Sequence, residues 1–205
     1  PARGNSTASS DKAAAFASVD ANTEAMNKLG LEIWNTPEIS FREFKTSRAL
    51  MRYLAGNGFT LQENAGGLPT AFVASSGSGK PVIAFWTEED ALANMSQKLT
   101  PTREPLIAGA PGQACGHNLI GPSTVAAAVA VAQFLKRTGT KGTIRVYGTP
   151  AEETGGGKEY MLEAGLFKDV DVLLGWHPSG DTRTEFEYTK AAVEMHFHFK
   201  GVAAH

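Results

Sequence analysis

The sequence predicts an α/β protein, with a three-layer α/β/α domain built around a central mixed sheet. Short apolar runs alternate with helical stretches along most of the chain, which is typical of a sheet covered by helices on both faces. The composition agrees with this class, since 42% of the 205 residues are hydrophobic, 20% are charged and the formal net charge is -2. These values are ordinary for a globular domain.

The individual elements follow from periodicity and from turn residues. Apolar residues recur at helical spacing between residues 11 and 34, and a second helix is expected over Glu43–Ala55. The runs TAFVAS and PVIAFW, joined by the turn SGSGK, are interpreted as two strands paired with each other. An Ala-rich helix over residues 120–137, the strand TIRVYG, a short helix in GGGKEYMLEAG and the strand DVLLGW complete the alternation.

The chain is expected to divide into three parts. Residues 1–12 have the composition of a flexible N-terminal tail, and residues 13–190 carry the alternating elements of the main domain. From residue 185 to 200 the pattern changes to strict alternation, with Val193, Met195, Phe197 and Phe199 on one face. This alternation predicts a half-exposed strand, and we place the start of a further domain at residues 191–205.

Composition also narrows the partners and the compartment. A pI near 6.3 indicates no excess of positive charge that would attract nucleic acid or an anionic membrane, and we expect neither as a partner. A single cysteine cannot form an internal disulfide bond. We expect a cytoplasmic protein. The alternative is export after removal of an N-terminal segment, since the chain begins at Pro1 instead of a methionine.

Residues that can bind metal follow several of the predicted strands. TEEDAL follows PVIAFW, PAEETGGG follows TIRVYG, HPSG follows DVLLGW, and ACGHN precedes the long helix. Ligands of open α/β sheets bind beyond the carboxyl ends of the strands, and thiol, imidazole and carboxylate are transition-metal donors. The donors in these segments are Glu88, Asp90, Cys115, His117, Glu152, Glu153 and His177. Each has an ordinary structural explanation by itself, but their joint placement predicts a metal site.

The adjacent pair Glu152–Glu153 suggests a division of labour. Successive side chains of an extended backbone point in opposite directions, so one carboxylate could bind metal while its neighbour faces the substrate. Metal-assisted hydrolysis uses both roles, because an unligated carboxylate moves the proton of the activated water. By contrast, His196 and His198 lie on the polar face of the expected strand and are interpreted as surface residues. No phosphate-binding loop, H-E-x-x-H or G-x-S-x-G motif is present.

Four segments carry a family resemblance. ACGHN, GTPAEETGGGK, WHP and GVAAH, in this order, resemble the amidohydrolase branch of the di-metal aminoacylase/carboxypeptidase metallopeptidase family. The resemblance runs from about Leu29 to the end of the chain. It implies a catalytic domain followed by a small α+β lid and dimerisation domain, of which this chain would contain only the start.

The resemblance also implies roles for individual residues. Cys115 would bridge two divalent ions as a thiolate, and Zn or Mn would suit the mixture of thiolate and carboxylate donors. His117, Glu153 and His177 would be the other ligands. Glu152 would be the general base, with Asp90 supporting the site. His205 would polarise the substrate carbonyl in a neighbouring subunit, and Glu88 stands at a ligand position of other branches, with its role here left open.

The implied reaction is hydrolysis of the amide bond of an N-acyl or aroyl amino acid such as p-aminobenzoyl-glutamate. The implied partners are this small-molecule substrate and a second copy bound through the lid domain, with a second related subunit as an alternative. The last metal-ligand histidine of the family lies beyond the pattern present here. We therefore expect residues 1–205 alone to be inactive.

Two other interpretations of the residues stay open. In the first, the protein is a cysteine hydrolase with Cys115 as nucleophile and His177 as base, which leaves the Glu152–Glu153 pair without a role. In the second, the chain is a non-catalytic, metal-binding subunit.

Overall fold

A computed structural model describes residues 10–184, 191, 193 and 195–205. The helices are α1 (Ser10–Ala21), α2 (Thr23–Trp34), α3 (Phe44–Gly56), α4 (His117–Thr138) and α5 (Gly157–Glu163). The strands are β1 (Thr60–Glu63), β2 (Phe72–Ser78), β3 (Val82–Glu88), β4 (Gly142–Thr149) and β5 (Val172–Leu174). These elements confirm the α/β class and include the helices and strands predicted before residue 185 in their predicted order, whereas β1 and the division of the first helical stretch into α1 and α2 were not predicted.

The five strands form one mixed sheet in the order β1-β2-β4-β3-β5. The strand β2 pairs antiparallel with β1 and β4, whereas β3 pairs in parallel with β4 and β5. The expected pairing of β2 with β3 is therefore wrong, because β4 lies between them. The strand β4 carries buried side chains on both faces, among them Ile144, Val146 and Tyr147, and the centre of the sheet is where both faces are covered.

Side-chain alternation divides the core into two clusters on opposite faces of the sheet. Ile144 and Val146 of β4 pack with Leu50 of α3 and with residues of α2 and α4. Tyr147 points to the other face, where it packs with Met161 of α5. This arrangement of helices, sheet and helix confirms the predicted three layers.

The N-terminal region contains two helices, which are separated at Asn22. There the Asn22 Nδ2 donates to the Ser18 carbonyl at 2.7 Å, a local bond that competes with continued helix. Helix α1 begins at Ser10, inside the segment 1–12 that was expected to be a tail, and residues 1–9 lie outside the described part.

The predicted strand over residues 185–200 is not found among the residues that the structure describes there. Residues 185–190, 192 and 194 lie outside them, and the others in this range have no regular secondary structure. Val193, Met195, Phe197 and Phe199 are all exposed. A strand needs the backbone of a neighbour to pair with, and the described residues supply none to this segment. The start of a further domain at residue 191 stays a prediction.

Helix α4 connects the core to the edge of the sheet where the metal donors lie. By length and composition it could cross a membrane, with a mean hydropathy of 1.4, but 56% of this apolar window is buried in the fold. It packs closely on α2, since a Cβ at Gly30 would lie 3.1 Å from the Asn118 carbonyl oxygen. The apolar character of α4 is therefore that of a core helix, and it fixes the position of its first residue, His117.

Gly148, near the end of β4, is a point where the packing can be tested. A Cβ added there would overlap Phe72 Cε1 and Glu89 Oε1, both of buried side chains. We expect Gly148→Ala to lower the free energy of unfolding by about 1–3 kcal/mol or more, because overpacking forces neighbours off their rotamers. Urea denaturation measures this change.

The matched control is Gly56→Ala in the last turn of α3, where an added Cβ meets no atom within 4 Å. This variant should be neutral or slightly more stable than the wild type. Equal unfolding midpoints for Gly148→Ala and the wild type would contradict the packing described for β4.

Candidate metal and catalytic site

The candidate site lies at the edge of the sheet where the parallel strands end. The last residue of β3 is Glu88, and the loop 150–156 follows β4 at the same edge because the two strands run in parallel. His117 begins α4, and His177 follows β5. The structure therefore brings together Glu88, His117 and the pair Glu152–Glu153, which come from three of the four donor segments.

A left-handed glycine lies between Cys115 and His117. Gly116 has φ of 84°, and a Cβ there would lie 3.0 Å from Pro178 Cγ. The chain can thus turn sharply against the segment that carries His177. Cys115 Sγ lies 3.2 Å from His177 Nε2, and His177 Nδ1 lies 2.9 Å from the Pro178 carbonyl oxygen. A proton on Nδ1, bonded to this carbonyl, leaves Nε2 as the donor atom directed at the site.

The imidazole of His117 is buried at the centre of four carboxylates. Its Nε2 lies 3.3 Å from Glu88 Oε2 and 3.8 Å from both Glu152 Oε2 and Glu153 Oε1. Its other nitrogen, Nδ1, lies 3.4 Å from Asp90 Oδ1. Asp90 therefore occupies one side of the ring, and Nε2 is the nitrogen available to an ion.

The carboxylate of Asp90 organises the loop after β4. Its Oδ1 accepts the N–H of Glu152 and its Oδ2 the N–H of Glu153, both at 3.0 Å. The same Oδ2 accepts the hydroxyl of Ser40 at 2.8 Å. The placement of Asp90 thus agrees with the supporting role that the resemblance implies.

The two glutamates lie in a turn and not in extended backbone. Ala151, directly before them, has φ of 56°, and Asp90 holds the next two N–H groups. Both carboxylates reach to 3.8 Å from the same nitrogen of His117. The expected opposite directions of Glu152 and Glu153 are therefore wrong, because a turn removes the twofold alternation on which that argument rests.

The donor set fits divalent metal ions. Two groups of side chains each bring three ligand atoms to within 4.8 Å of one another: Cys115 with His117 and His177, and Glu88 with His117 and Glu152. Among the described residues, Glu88 Oε2, His117 Nε2 and Glu153 Oε1 are buried without a hydrogen-bond partner. Buried polar atoms in folded proteins almost always have partners, so three such atoms at one point fit the donors of a bound cation. Thiolate, imidazole and carboxylate are the ligands of zinc and its neighbours.

Comparison with known proteins agrees with this geometry. A family model described as peptidase family M20/M25/M40 matches residues 99–204. The chain belongs to this family. It is 42% identical to one of the subunits of the p-aminobenzoyl-glutamate hydrolase of Escherichia coli over 188 residues, which are 91% of this chain and 39% of that protein. It is 33% identical to the Xaa-Arg dipeptidase of Mus musculus, over 78% of this chain and 36% of that protein.

A solved structure shares the fold. The dinuclear metal-binding M20 peptidase of Bacillus subtilis superposes with a TM-score of 0.66 at 28% identity, covering 79% of this chain and 44% of that chain. Here and in the sequence matches, this M20 chain spans less than half the length of the proteins it resembles.

The electrostatics of the site are those of crowded, buried carboxylates. Burial and the neighbouring Glu88 raise the pKa of Glu152. Burial alone would lower the pKa of His117, but the carboxylates of Asp90 and Glu88 outweigh it and raise that pKa. Burial raises the pKa of the Cys115 thiol to about 12, with Glu153 adding to the effect. Without added positive charge, this M20 site therefore keeps the thiol protonated.

Two residues of the site were missed or left without a role by sequence reasoning. Glu88 is 3% exposed and faces His117, and its Oε1 accepts from Lys158 Nζ at 2.5 Å. The Lys158 ammonium also lies 4.6 Å from the centre of the Trp86 ring. Lys158 follows a glycine run that matches no phosphate-binding motif, so no sequence pattern marks it as a site residue. The alternation along β3 could have placed Trp86 and Glu88 on one face.

His205 lies apart from these residues. It is exposed, and it belongs to neither group of converging ligand atoms in the described part of the chain. His198 is also exposed, but so are the apolar residues beside it, and the strand whose polar face it was expected to occupy is not found in the described part of this segment. The role implied for His205 stays a prediction.

Glu89 provides a pH-dependent test of the site's surroundings. Both of its carboxylate oxygens are buried without a hydrogen-bond partner, and burial followed by the charge of Glu43 raises its pKa well above the usual range. The folded protein therefore binds a proton here that the unfolded chain releases above its ordinary pKa. This lowers the stability as the pH rises through the interval between the two values.

We expect Glu89→Gln, which cannot ionise, to gain stability relative to the wild type as the pH is raised from about 4.5 towards neutrality. Thermal unfolding of both proteins across this range measures the difference. Parallel stability curves for the two proteins would show that Glu89 is ionised in the fold. Glu163→Gln, at an exposed position at the end of α5, serves as the control.

Proposed function

We propose that the protein containing this chain is a metal-dependent amidohydrolase that cleaves the amide bond of an N-acyl or aroyl amino acid. The observation that carries this proposal is the convergence of one thiol, two imidazoles and three glutamates at the carboxyl edge of a mixed sheet. Membership of the M20 family supports it, because the matched relatives include a hydrolase of p-aminobenzoyl-glutamate and a dipeptidase.

We propose that two divalent ions, Zn²⁺ or Mn²⁺, bind here. The number of donor side chains that converge here supports a pair of ions, and the Bacillus subtilis neighbour is described as dinuclear. Since His117 offers one free nitrogen, a second ion needs other donors, which Glu153 and the thiolate of Cys115 would provide. His177 would complete the ligand set. When bound, such ions supply Lewis acidity for the amide carbonyl and for the attacking water.

Glu152 is the general base in this proposal and Glu153 a ligand. Glu152 has a side chain 37% exposed, so it can face a substrate, whereas that of Glu153 is 16% exposed and has an unpartnered oxygen. The carboxylate of Glu152 accepts a proton from a water molecule as the oxygen of that water attacks the carbonyl carbon of the amide. It then returns the proton to the amide nitrogen as the C–N bond breaks.

The substrate and the partners are proposed from the relatives. The Escherichia coli relative is named for p-aminobenzoyl-glutamate and as one of two hydrolase subunits, which supports an aroyl amino acid substrate and a second, related subunit. We propose in addition that the full-length protein is a homodimer in which a neighbouring subunit presents His205 to the substrate carbonyl. A donor of this kind typically contributes about 2.7–4 kcal/mol to transition-state stabilisation.

A cysteine hydrolase is the second candidate, and the contact between Cys115 Sγ and His177 Nε2 favours it. A nucleophilic cysteine requires a lowered pKa, which neighbouring cations supply. Here carboxylates surround the thiol and its pKa is raised to about 12. The metal-dependent mechanism accounts for the carboxylates, and the cysteine mechanism gives them no role.

Substituting Glu152 and Glu153 one at a time tests which of them is the base and which is the ligand. Glu152→Gln should lower kcat by at least about 100-fold while metal content stays unchanged, because a general base contributes 10²–10⁴-fold. Glu153→Ala should instead lose metal. The assay measures hydrolysis of p-aminobenzoyl-glutamate and of a panel of N-acyl amino acids in the presence of Zn²⁺ or Mn²⁺. It uses the full-length protein, with its dimeric state checked by sedimentation.

Residues 1–205 alone are assayed in parallel with the full-length protein, and Glu159→Gln on α5 is the matched control. Loss of metal in Glu152→Gln together with retained metal in Glu153→Ala would reverse the two roles. If the full-length protein bound neither ion, the metal-dependent mechanism would be wrong.

Alkylation of Cys115 separates the two mechanisms. A metal-bound thiolate should be protected from iodoacetamide, become reactive after chelation, and regain protection together with activity when Zn²⁺ or Mn²⁺ is returned. Mass spectrometry of the alkylated peptide, alongside the hydrolysis assay, measures both. Hydrolysis that resists chelator and is abolished by alkylation would instead establish the cysteine mechanism.

A further inference from the structure

Glu43 has a buried carboxylate that no part of the proposed mechanism uses. It directly precedes α3 and is fully buried. A buried charge at such a position is costly unless several donors surround it. Its Oε1 accepts the N–H groups of Phe41 at 2.9 Å and of Ala151 at 2.8 Å, and its Oε2 accepts the hydroxyl of Thr70 at 2.8 Å.

Both backbone N–H groups held by Glu43 belong to left-handed residues. Phe41 has φ of 60° and Ala151 has φ of 56°, a region that residues with a Cβ avoid unless their surroundings hold them there. The two are neighbours in space, since a Cβ at Gly155 would approach both the Phe41 ring and the Ala151 methyl group. One carboxylate oxygen thus joins the start of α3 to the turn that follows β4.

This turn carries the proposed base and ligand. Ala151 immediately precedes Glu152 and Glu153, whose N–H groups are held by Asp90. Three consecutive N–H groups of the loop, 151 to 153, are therefore bound by two carboxylates from different parts of the chain. Asp90 orients the last two, and Glu43 holds the first in the conformation from which the chain turns towards His117.

We propose that Glu43 is a positioning residue of the active site, which holds Ala151 in its left-handed conformation and so directs Glu152 and Glu153 at the metal donors. The inference rests on the proposed function for its kinetic consequence only. Its structural part, the fixing of the loop 150–156, holds for the fold itself. Among the described residues, the Glu43 carboxylate accepts hydrogen bonds from Phe41, Thr70 and Ala151 and from none of the proposed metal ligands, so it acts through the backbone of Ala151.

Three substitutions test this role in the full-length protein. Glu43→Ala should speed amide hydrogen exchange in the loop 150–156. It should also lower kcat or metal affinity by about 10–100-fold, as loss of supporting contacts around a metal site usually does, with KM changed less. Glu43→Gln should stay within about threefold of wild type, because its Oε1 keeps both N–H groups and its Nε2 can donate to the Thr70 hydroxyl. Glu43→Asp, which is too short to span to Ala151, replaces Glu43→Ala if the latter fails to fold.

The matched control is Glu38→Ala. The Glu38 carboxylate also accepts backbone N–H groups, those of Lys45 and Thr46 in the first turn of α3, and it makes no hydrogen bond to the loop 150–156. This variant should lower the unfolding temperature as Glu43→Ala does, while loop exchange and kcat stay at the wild-type level.

If Glu43→Ala matched Glu38→Ala in loop exchange and in kcat, the positioning role would be overturned and Glu43 would be a structural residue only. If the wild-type protein hydrolysed none of the amides, the proposed function would fail. The exchange rates of the loop would still decide the role of Glu43, so the two failures are distinguishable.

Discussion

The carboxylate of Asp90 is the contact on which the rest of the site depends. It follows β3, accepts two N–H groups of the loop after β4, binds Ser40 before α3 and lies against Nδ1 of His117 at the start of α4. Four separate segments are therefore fixed by one charged group. Because hydrogen bonds to a charged acceptor are stronger than neutral ones, this group can organise irregular loops that have no ladder of their own. Burial alone would raise the pKa of Asp90, but His117 and the N–H of Glu153 outweigh it and lower that pKa.

Parallel pairing is the reason that the donors meet at all. The strands β3 and β4 enter the sheet at the same level and leave it at the same edge, so Glu88 and the loop after Thr149 become neighbours although they lie far apart in the sequence. A hairpin of β2 and β3, as the sequence suggested, would have left the two edges unrelated. The insertion of β4 between them is what brings the glutamate pair beside β3.

Sequence reasoning recovered what depends on local pattern and failed where long-range contacts decide. The class, the order of elements and the donor-bearing segments follow from periodicity and strand ends, and the structure places Cys115, His117 and His177 together. The geometry of Glu152 and Glu153 did not follow, because the left-handed Ala151 is imposed by Glu43, 108 positions away. The ion pair of Glu88 with Lys158 is equally invisible, since neither residue type nor spacing marks a bond across 70 positions. Left-handed alanines and buried ion pairs are products of the tertiary fold, and single-sequence patterns carry no record of them.

The site around His117 carries more negative than positive charge. Four carboxylates surround His117, those of Glu88, Asp90, Glu152 and Glu153. The cations beside these carboxylates are Lys158, which pairs with Glu88, and the imidazole of His117 when it is protonated. Four carboxylates against two cations leave an excess of negative charge in a partly buried space, where Coulomb repulsion is weakly screened. Burial is the largest cause of the raised pKa values of Glu152 and Cys115, and the excess of carboxylates adds to both. At His117 burial acts in the opposite direction, but the carboxylates outweigh it and raise the pKa. Divalent cations would relieve it more completely than protons can, because they also satisfy the unpartnered oxygens and nitrogen. Under the proposed function, the same charge that disfavours the thiol as a nucleophile favours bound divalent cations, so the surrounding carboxylates, more than the thiol, determine what chemistry this edge of the sheet supports.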